Sequence, residues 1–256
     1  MRKLSSIFGS WARRAFEVES LGSEPPREAI NAGLELMSKL MEPDHYVLHR
    51  RERALWRVGG DLTFIIRLQA DRHNRTGERA SVWMHLGIRS KRLSAWRRAH
   101  SSDWIRARDI REPGVVLDAQ FGNVCLHGRW PRWDFARPSA RPRVSLDAVT
   151  ALRSCAYPLF ESFGDVARCV PNLLKRPAIA KTPLLEYALS HGQQDLVARE
   201  MASLLTHRGP FSRHLRTKLN EIAVAGLAPP DDTLRDEARD LASLAIAAPI
   251  RVTGAP

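Results

Sequence analysis

The sequence predicts an α+β protein, an antiparallel meander sheet covered by an N-terminal helix and followed by a C-terminal helical array. Three observations carry that prediction. Apolar residues recur at helical spacing over 27–41, the hydrophobic period then drops to two over 45–88, and beyond residue 145 helical spacing returns between turns marked by Gly and Pro. With 256 residues, 44% of them hydrophobic, the chain can bury a substantial core, and it does not have the composition of a disordered protein. The expected organisation is a basic amphipathic segment over 1–22, a sheet domain over 23–143, and a helical region over 144–250 packed on it.

The first sixteen residues hold four basic side chains and no acid, and Leu4, Phe8, Trp11 and Ala15 fall on one helical stripe. Such a segment can lie on an anionic membrane surface or simply pack Trp11 on the domain. Pro25-Pro26 pre-sets the next helix, whose stripe is Ile30, Leu34, Met37 and Met41, and Pro43-Asp44 stops it. His45–Arg50, Arg53–Val58, Leu62–Ala70 and Ala80–Ile88 read as strands. Gly59-Gly60 reads as a two-residue hairpin turn, and the short connections require antiparallel neighbours. Leu62, Phe64, Ile66 and Leu68 alternate with Thr63, Ile65, Arg67 and Gln69, so one face of the sheet is strongly apolar and the preceding helix is its natural cover.

From Lys91 to Arg143 the pattern is weaker. Val115–Leu117 and Asn123–His127 are candidate short strands, prolines argue against regular structure after Gly128, and Arg137–Arg143 reads as an exposed loop or linker. Farther on, Ser145 is a candidate cap for a helix reaching Ala156, and a second helix runs from Gly164 to a break near Pro171. Thr182-Pro183 starts a third, stopped by Gly192, and Gln193–His207, Phe211–Ala225 and Asp231–Ala248 complete the array.

Charge is unevenly placed. Between His45 and Arg143 there are 21 basic and 9 acidic residues, so this stretch carries the whole formal net charge of +12, and arginines outnumber lysines 34 to 6 in the chain. A cationic middle suits an acidic protein, a nucleic acid or an anionic surface. Three segments interleave tryptophan with arginine: Trp96-Arg97-Arg98, Trp104 with Arg106 and Arg108, and Arg129-Trp130 with Arg132-Trp133. Such segments can dock a partner, or stack bases while neutralising phosphates. Equally, Trp can anchor the core while Arg pairs with Asp103, Asp109 and Glu112.

Catalytic and metal signatures are weak. No apolar run is long enough for a membrane span. Cys125, Cys155 and Cys169 suit a reducing compartment, with a cytoplasmic location the expectation. His45 with His49, and Cys125 with His127, would share strand faces, but no C-x-x-C or H-E-x-x-H completes a zinc set. There is no G-x-S-x-G elbow, and Gly59-Gly60 opens no helix that could cradle phosphate. No metal, cofactor or catalytic residue is therefore expected.

The patterns LELMSKLM, ALWRVGGD, LTFIIRLQ and VWMHLGI, with the later DWIRARDI, GRWPRW and AYPLFESFGD, resemble the bacterial family known as domain of unknown function 4304 over roughly residues 27–170. The resemblance implies an α+β fold. It assigns no activity, so it transfers no functional residue, and the basic first segment and the long Arg/Pro stretch depart from the family's pattern. The leading expectation is a non-catalytic module that binds an acidic macromolecule through a basic sheet side, an immunity-like protein facing an acidic toxin included. A nucleic-acid binder using the Trp/Arg segments is the alternative, and an enzyme with dispersed residues the third. On the leading reading, reversing Arg97 and Arg98 to Glu removes binding and leaves stability nearly unchanged.

Overall fold

The computed structural model describes residues 23–125, 128–229 and 236–250. The basic stretch expected to be amphipathic, residues 1–22, lies outside them, as does His127. Helix α1 (Pro26–Met41) buries the stripe Ala29, Ile30, Leu34, Met37 and Met41. Gly33 on the same helix lies so close to the Phe135 ring that any Cβ there would overlap it. The chain that follows forms strands β1 (Val47–His49), β2 (Ala54–Gly59), β3 (Leu62–Ala70) and β4 (Ser81–Ser90). Strand β5 (Val115–Gln120) extends the antiparallel order β1-β2-β3-β4-β5, and the short β6 (Trp133–Asp134) pairs with the start of β4.

The β2–β3 turn sits one residue later than expected. Gly59 pairs with Leu62, so the turn residues are Gly60 and Asp61, and Gly60 takes the positive φ of 59° that such a turn needs. Asp61 then serves a second purpose. Its carboxylate accepts from Ser90 Oγ at 2.5 Å and from the Arg92 amide at 2.6 Å, while Ser90 Oγ accepts from the Leu93 amide at 2.9 Å. The hairpin turn thereby caps helix α2 (Lys91–Ala99), which sequence periodicity did not reveal. Helix α3 (Asp103–Arg111) and the five-residue helix α4 (Phe121–Cys125) were missed as well. Asn123–Cys125 is thus helical where a strand was expected, an ambiguity inherent in short apolar runs.

Helix α5 (Arg141–Ala151) starts inside the stretch read as a loop. Arg141 is buried there and donates to the Phe135 carbonyl at 2.8 Å and to Glu24 at 3.0 Å. Ser145 lies within the helix instead of capping it, and its hydroxyl donates to the Gly33 carbonyl at 3.2 Å, tying α5 to α1. The helix widens into a π-turn at Leu152–Ala156 before α6 (Tyr157–Ser162). Pro158 accounts for that turn: it lacks an N–H, and its ring would crowd the carbonyl four residues back in a regular helix. Helices α7 (Val166–Leu174), α8 (Lys181–Ser190), α9 (Gln194–Thr206), α10 (Pro210–Ala225) and α11 (Glu237–Ala247) follow. Helix α7 begins just after Asp165, whose side chain caps it, and Pro171 is accommodated within it instead of breaking it.

The apolar sheet face carries Leu55, Leu62, Phe64, Ile66, Leu68, Met84, Leu86 and Ile88 into a core that continues through α1 and the later helices to Leu244 without a break. Phe160 of α6 stacks on Phe64 at 4.8 Å, which places α6 on this face as well.

Candidate functional site

The arginines singled out in the sequence do not form one surface. Arg97 and Glu186 are both fully buried, and they meet at 2.5 Å. Arg97 Nη1 donates to the Glu112 carbonyl at 2.9 Å. The second oxygen of Glu186 accepts from Arg108 at 2.9 Å, and Arg108 also faces Asp240 at 3.6 Å and the Trp104 ring at 5.2 Å. One carboxylate on α8 therefore holds α2 and α3, with α11 joined through Arg108. Trp104 is buried, and so is Trp133, whose indole donates to Asp147 at 2.9 Å. These side chains are buried internal fastenings, where the sequence suggested that Arg97, Trp104, Arg108 and Trp133 line an exposed partner surface.

The remaining candidates are scattered. Trp96 packs partly buried against the core and tilts onto His100. Arg106 is tied to Asp103 and to the carbonyls of His100 and Ser101. Arg98 is exposed beside Asp109 at 3.5 Å, and Arg129 is exposed on the 128–132 loop. Trp130 is exposed too, its indole held by Asn123 at 2.9 Å. Arg132 lies over the Trp83 ring at 5.1 Å and 3.4 Å from Asp71.

A different set of residues is brought together on the outer sheet face. Cross-strand partners share a face in an antiparallel sheet. The register gives the rows Val47, Trp56, Ile65, Gly87, Asp118 and His49, Ala54, Arg67, His85, Gln120, flanked by Trp83 with Gln69 and by Arg89 with Thr63. Trp56, Ile65 and Trp83 lie outside the continuous core. From Trp56 to Asp118 the platform crosses three strand spacings, about 14 Å.

Four buried polar atoms on this face have no hydrogen-bond partner among the described residues: Trp56 Nε1, Trp83 Nε1, His85 Nε2 and Gln120 Oε1. His85 and Gln120 are directly opposite one another, and Trp83 is the next outward-facing residue along β4. Around them stand three cations, Arg67, Arg89 and the Arg132 that lies over the Trp83 ring. Arg67 reaches Asp118 at 3.8 Å, across the position where Gly87 has no side chain. Arg89 lies over the Trp56 ring at 5.7 Å and meets no carboxylate among the described residues. His49 stacks on Trp56 at 4.3 Å. Burial lowers the His85 pKa, with Arg67 acting in the same sense and Asp118 opposing, so the imidazole is neutral at neutral pH.

A second concavity, about 760 Å³, is bordered by Arg132, Arg137 and Arg143 but equally by Glu78, Asp134 and Asp147. Asp134 is already used by the Ala80 and Ala136 amides and Asp147 by the Trp133 indole, so this cleft is the junction that seats β6. Metal chemistry finds no support in the described residues, where no group of three or more His, Cys, Asp or Glu could hold an ion. His45 is in a left-handed turn ahead of β1, with φ 62°, and so does not share a strand face with His49, and Cys125 ends a helix instead of lying in a strand. No described helix is long and apolar enough to cross a membrane.

No family model, curated protein or solved structure matches the chain. The outer face was nonetheless foreshadowed. Thr63, Arg67 and Gln69 alternate with the apolar residues of β3, and Trp83 and His85 alternate with Val82, Met84 and Leu86 of β4. Period-two spacing of Trp and His opposite a greasy face was the available signal.

Proposed function

We propose that the chain is a non-catalytic binding module that takes an acidic protein segment on the outer face of its sheet. The two unpartnered indole donors there, Trp56 Nε1 and Trp83 Nε1, are the observation that supports this reading. A buried donor left without an acceptor costs roughly 1–3 kcal/mol, and a native fold rarely concentrates several at one place without a use for them. Indole nitrogens can only donate, so an occupant that displaces their present cover must bring acceptors to Trp56 and Trp83. Carboxylates do so, and they also answer the charge of Arg67 and Arg89. An acidic toxin facing an immunity-like protein is one partner of this chemistry. The resemblance of residues 27–170 to domain of unknown function 4304 stands with this proposal and adds no activity to it.

Nucleic acid is the second reading, because an open sheet face with tryptophan and arginine suits single strands. Against base stacking, His49 and Arg89 already pack on the Trp56 ring and Arg132 on Trp83. The test compares immobilised poly-L-glutamate with oligothymidylate over a salt series, using the parent chain and the double variant Arg67→Glu, Arg89→Glu. The proposal expects the variant to bind poly-L-glutamate about tenfold more weakly, with Tm moved by no more than about 2 °C. Unchanged binding by the variant overturns the choice of surface. Retention of the oligonucleotide alone, weakening steeply with salt, favours the second reading.

A further inference from the structure

The three cysteines, spread over residues 125–169, converge on one cleft of about 710 Å³ that is separate from the outer sheet face. Cys125 ends α4, Cys155 sits in the π-turn of Leu152–Ala156, and Cys169 projects from α7. Backbones of α4 and the π-turn approach within 8 Å, Cα to Cα, although these elements lie about thirty residues apart in the chain. The Cys155 side chain is the polar neighbour of the Cys125 thiol. Both are half-buried and neither is disulfide-bonded, whereas Cys169 is buried with its sulfur 3.3 Å from Ser162 Oγ. Arg176 also lines the cleft.

We infer that Cys125 and Cys155 are a redox-responsive thiol pair that closes to a disulfide on exposure to hydrogen peroxide. The π-turn contributes directly, since the wider turn places Cys155 on the cleft wall where α4 ends. Burial, and then the Cys155 thiol beside it, push the Cys125 thiol up, which sets Cys125 as the resolving thiol, and Cys155 on the cleft wall is assigned the peroxide-facing role. The Cys155 thiol loses its proton and its sulfur attacks one peroxide oxygen. The O–O bond breaks, the leaving hydroxide takes up that proton as water, and Cys155 becomes a sulfenic acid. Cys125 then gives up its proton and its sulfur attacks the Cys155 sulfur, with Arg176 favouring the transient thiolate. The S–S bond forms, the S–O bond breaks, and hydroxide leaves with the Cys125 proton as a second water. Two thiols are oxidised by two electrons in all and one peroxide is reduced to two waters. Cys169 takes no part, being occupied by Ser162 and walled in by the core.

The test treats the folded full chain with a small excess of hydrogen peroxide and follows it by intact mass, free-thiol titration and peptide mapping. The expected product has lost two hydrogens and two titratable thiols, carries a crosslink between the peptides of Cys125 and Cys155, and reverts with dithiothreitol. Cys155→Ser and Cys125→Ser should each lose the crosslink, and Cys169→Ser should form it as the parent does. Oxygen additions on separate cysteines without loss of hydrogen would overturn the inference, as would a crosslink through Cys169 or an intramolecular crosslink that survives Cys155→Ser. None of these readouts involves the outer sheet face, so either reading can fail without the other.

Discussion

Replacing Glu186 by glutamine keeps the side chain's length and one carbonyl acceptor but removes the charge between two buried guanidinium groups. Arg97 is fully buried and Arg108 nearly so, and the carboxylate meets them at 2.5 and 2.9 Å. Removing one partner of a buried ion pair typically costs about 3–5 kcal/mol, because the partner's charge stays buried without compensation. Asp240, 3.6 Å from Arg108, retains part of the balance, so the lower end, about 3 kcal/mol, is expected for Glu186→Gln. For a chain of this size that lowers Tm by roughly 6–12 °C. Urea unfolding followed by circular dichroism measures it, with a reduced midpoint at unchanged slope. Arg98→Ala is the matched control. Arg98 adjoins Arg97 in sequence, yet its side chain is 70% exposed 3.5 Å from Asp109, so its loss should cost less than about 1 kcal/mol. A loss below about 1 kcal/mol for Glu186→Gln, or equal losses for both variants, would refute the assignment of this network as the fastening between the basic middle and the later helices.

Other consequences are open to measurement. Gly33→Ala places a methyl group inside the Phe135 ring's contact surface and should destabilise by about 1–3 kcal/mol, seen as a lower urea midpoint. Asp61→Ala removes the acceptor that ties the β2–β3 turn to the start of α2 and should cost about 1–2 kcal/mol by the same measurement. Burial lowers the pKa of His85, His100 and His191 below the ordinary 6.5. The unfolded chain therefore binds more protons at these sites just below that value. Their contribution is present above about pH 6.5 and is lost as pH falls below it through the folded values, so urea midpoints should drop as pH falls below about 6.5. At Asp44, burial alone would raise the pKa, but hydrogen bonds from Arg153 and Tyr157 hold it below the ordinary 3.8. Its stabilisation is present above 3.8 and lost only in stronger acid, so Asp44→Asn should blunt the acid limb of the stability profile and leave the histidine limb unchanged.

Local chemistry announced much of this fold. The stripe of α1, the alternation of β3, the Gly60 turn and the stop at Gly192 are each specified by residues within a few positions of one another. Helices α2 and α3 were opaque because the side chains they bury include Arg97, Arg108 and Asp109, which no hydrophobic pattern counts as core. Arg97 is buried only because Glu186, 89 residues farther along, supplies the opposite charge, and a sequence does not display pairs at that separation. For the same reason the arginine-tryptophan segments suggested a surface that their ion pairs consume. The outer face was legible as an alternation, but the absence of partners for its indoles and imidazole emerges only when the strands are in register.

On the proposed reading, an acidic occupant contacts the outer sheet face and leaves the internal tryptophans alone. Indole N–H resonances test it most directly, during titration of the isotopically labelled chain with an acidic peptide such as poly-L-glutamate. Trp56 and Trp83, whose indole nitrogens have no acceptor among the described residues, should move, while Trp133, bonded to Asp147, should stay in place. Movement confined to Trp96 or Trp130, with Trp56 and Trp83 unchanged, would contradict the account.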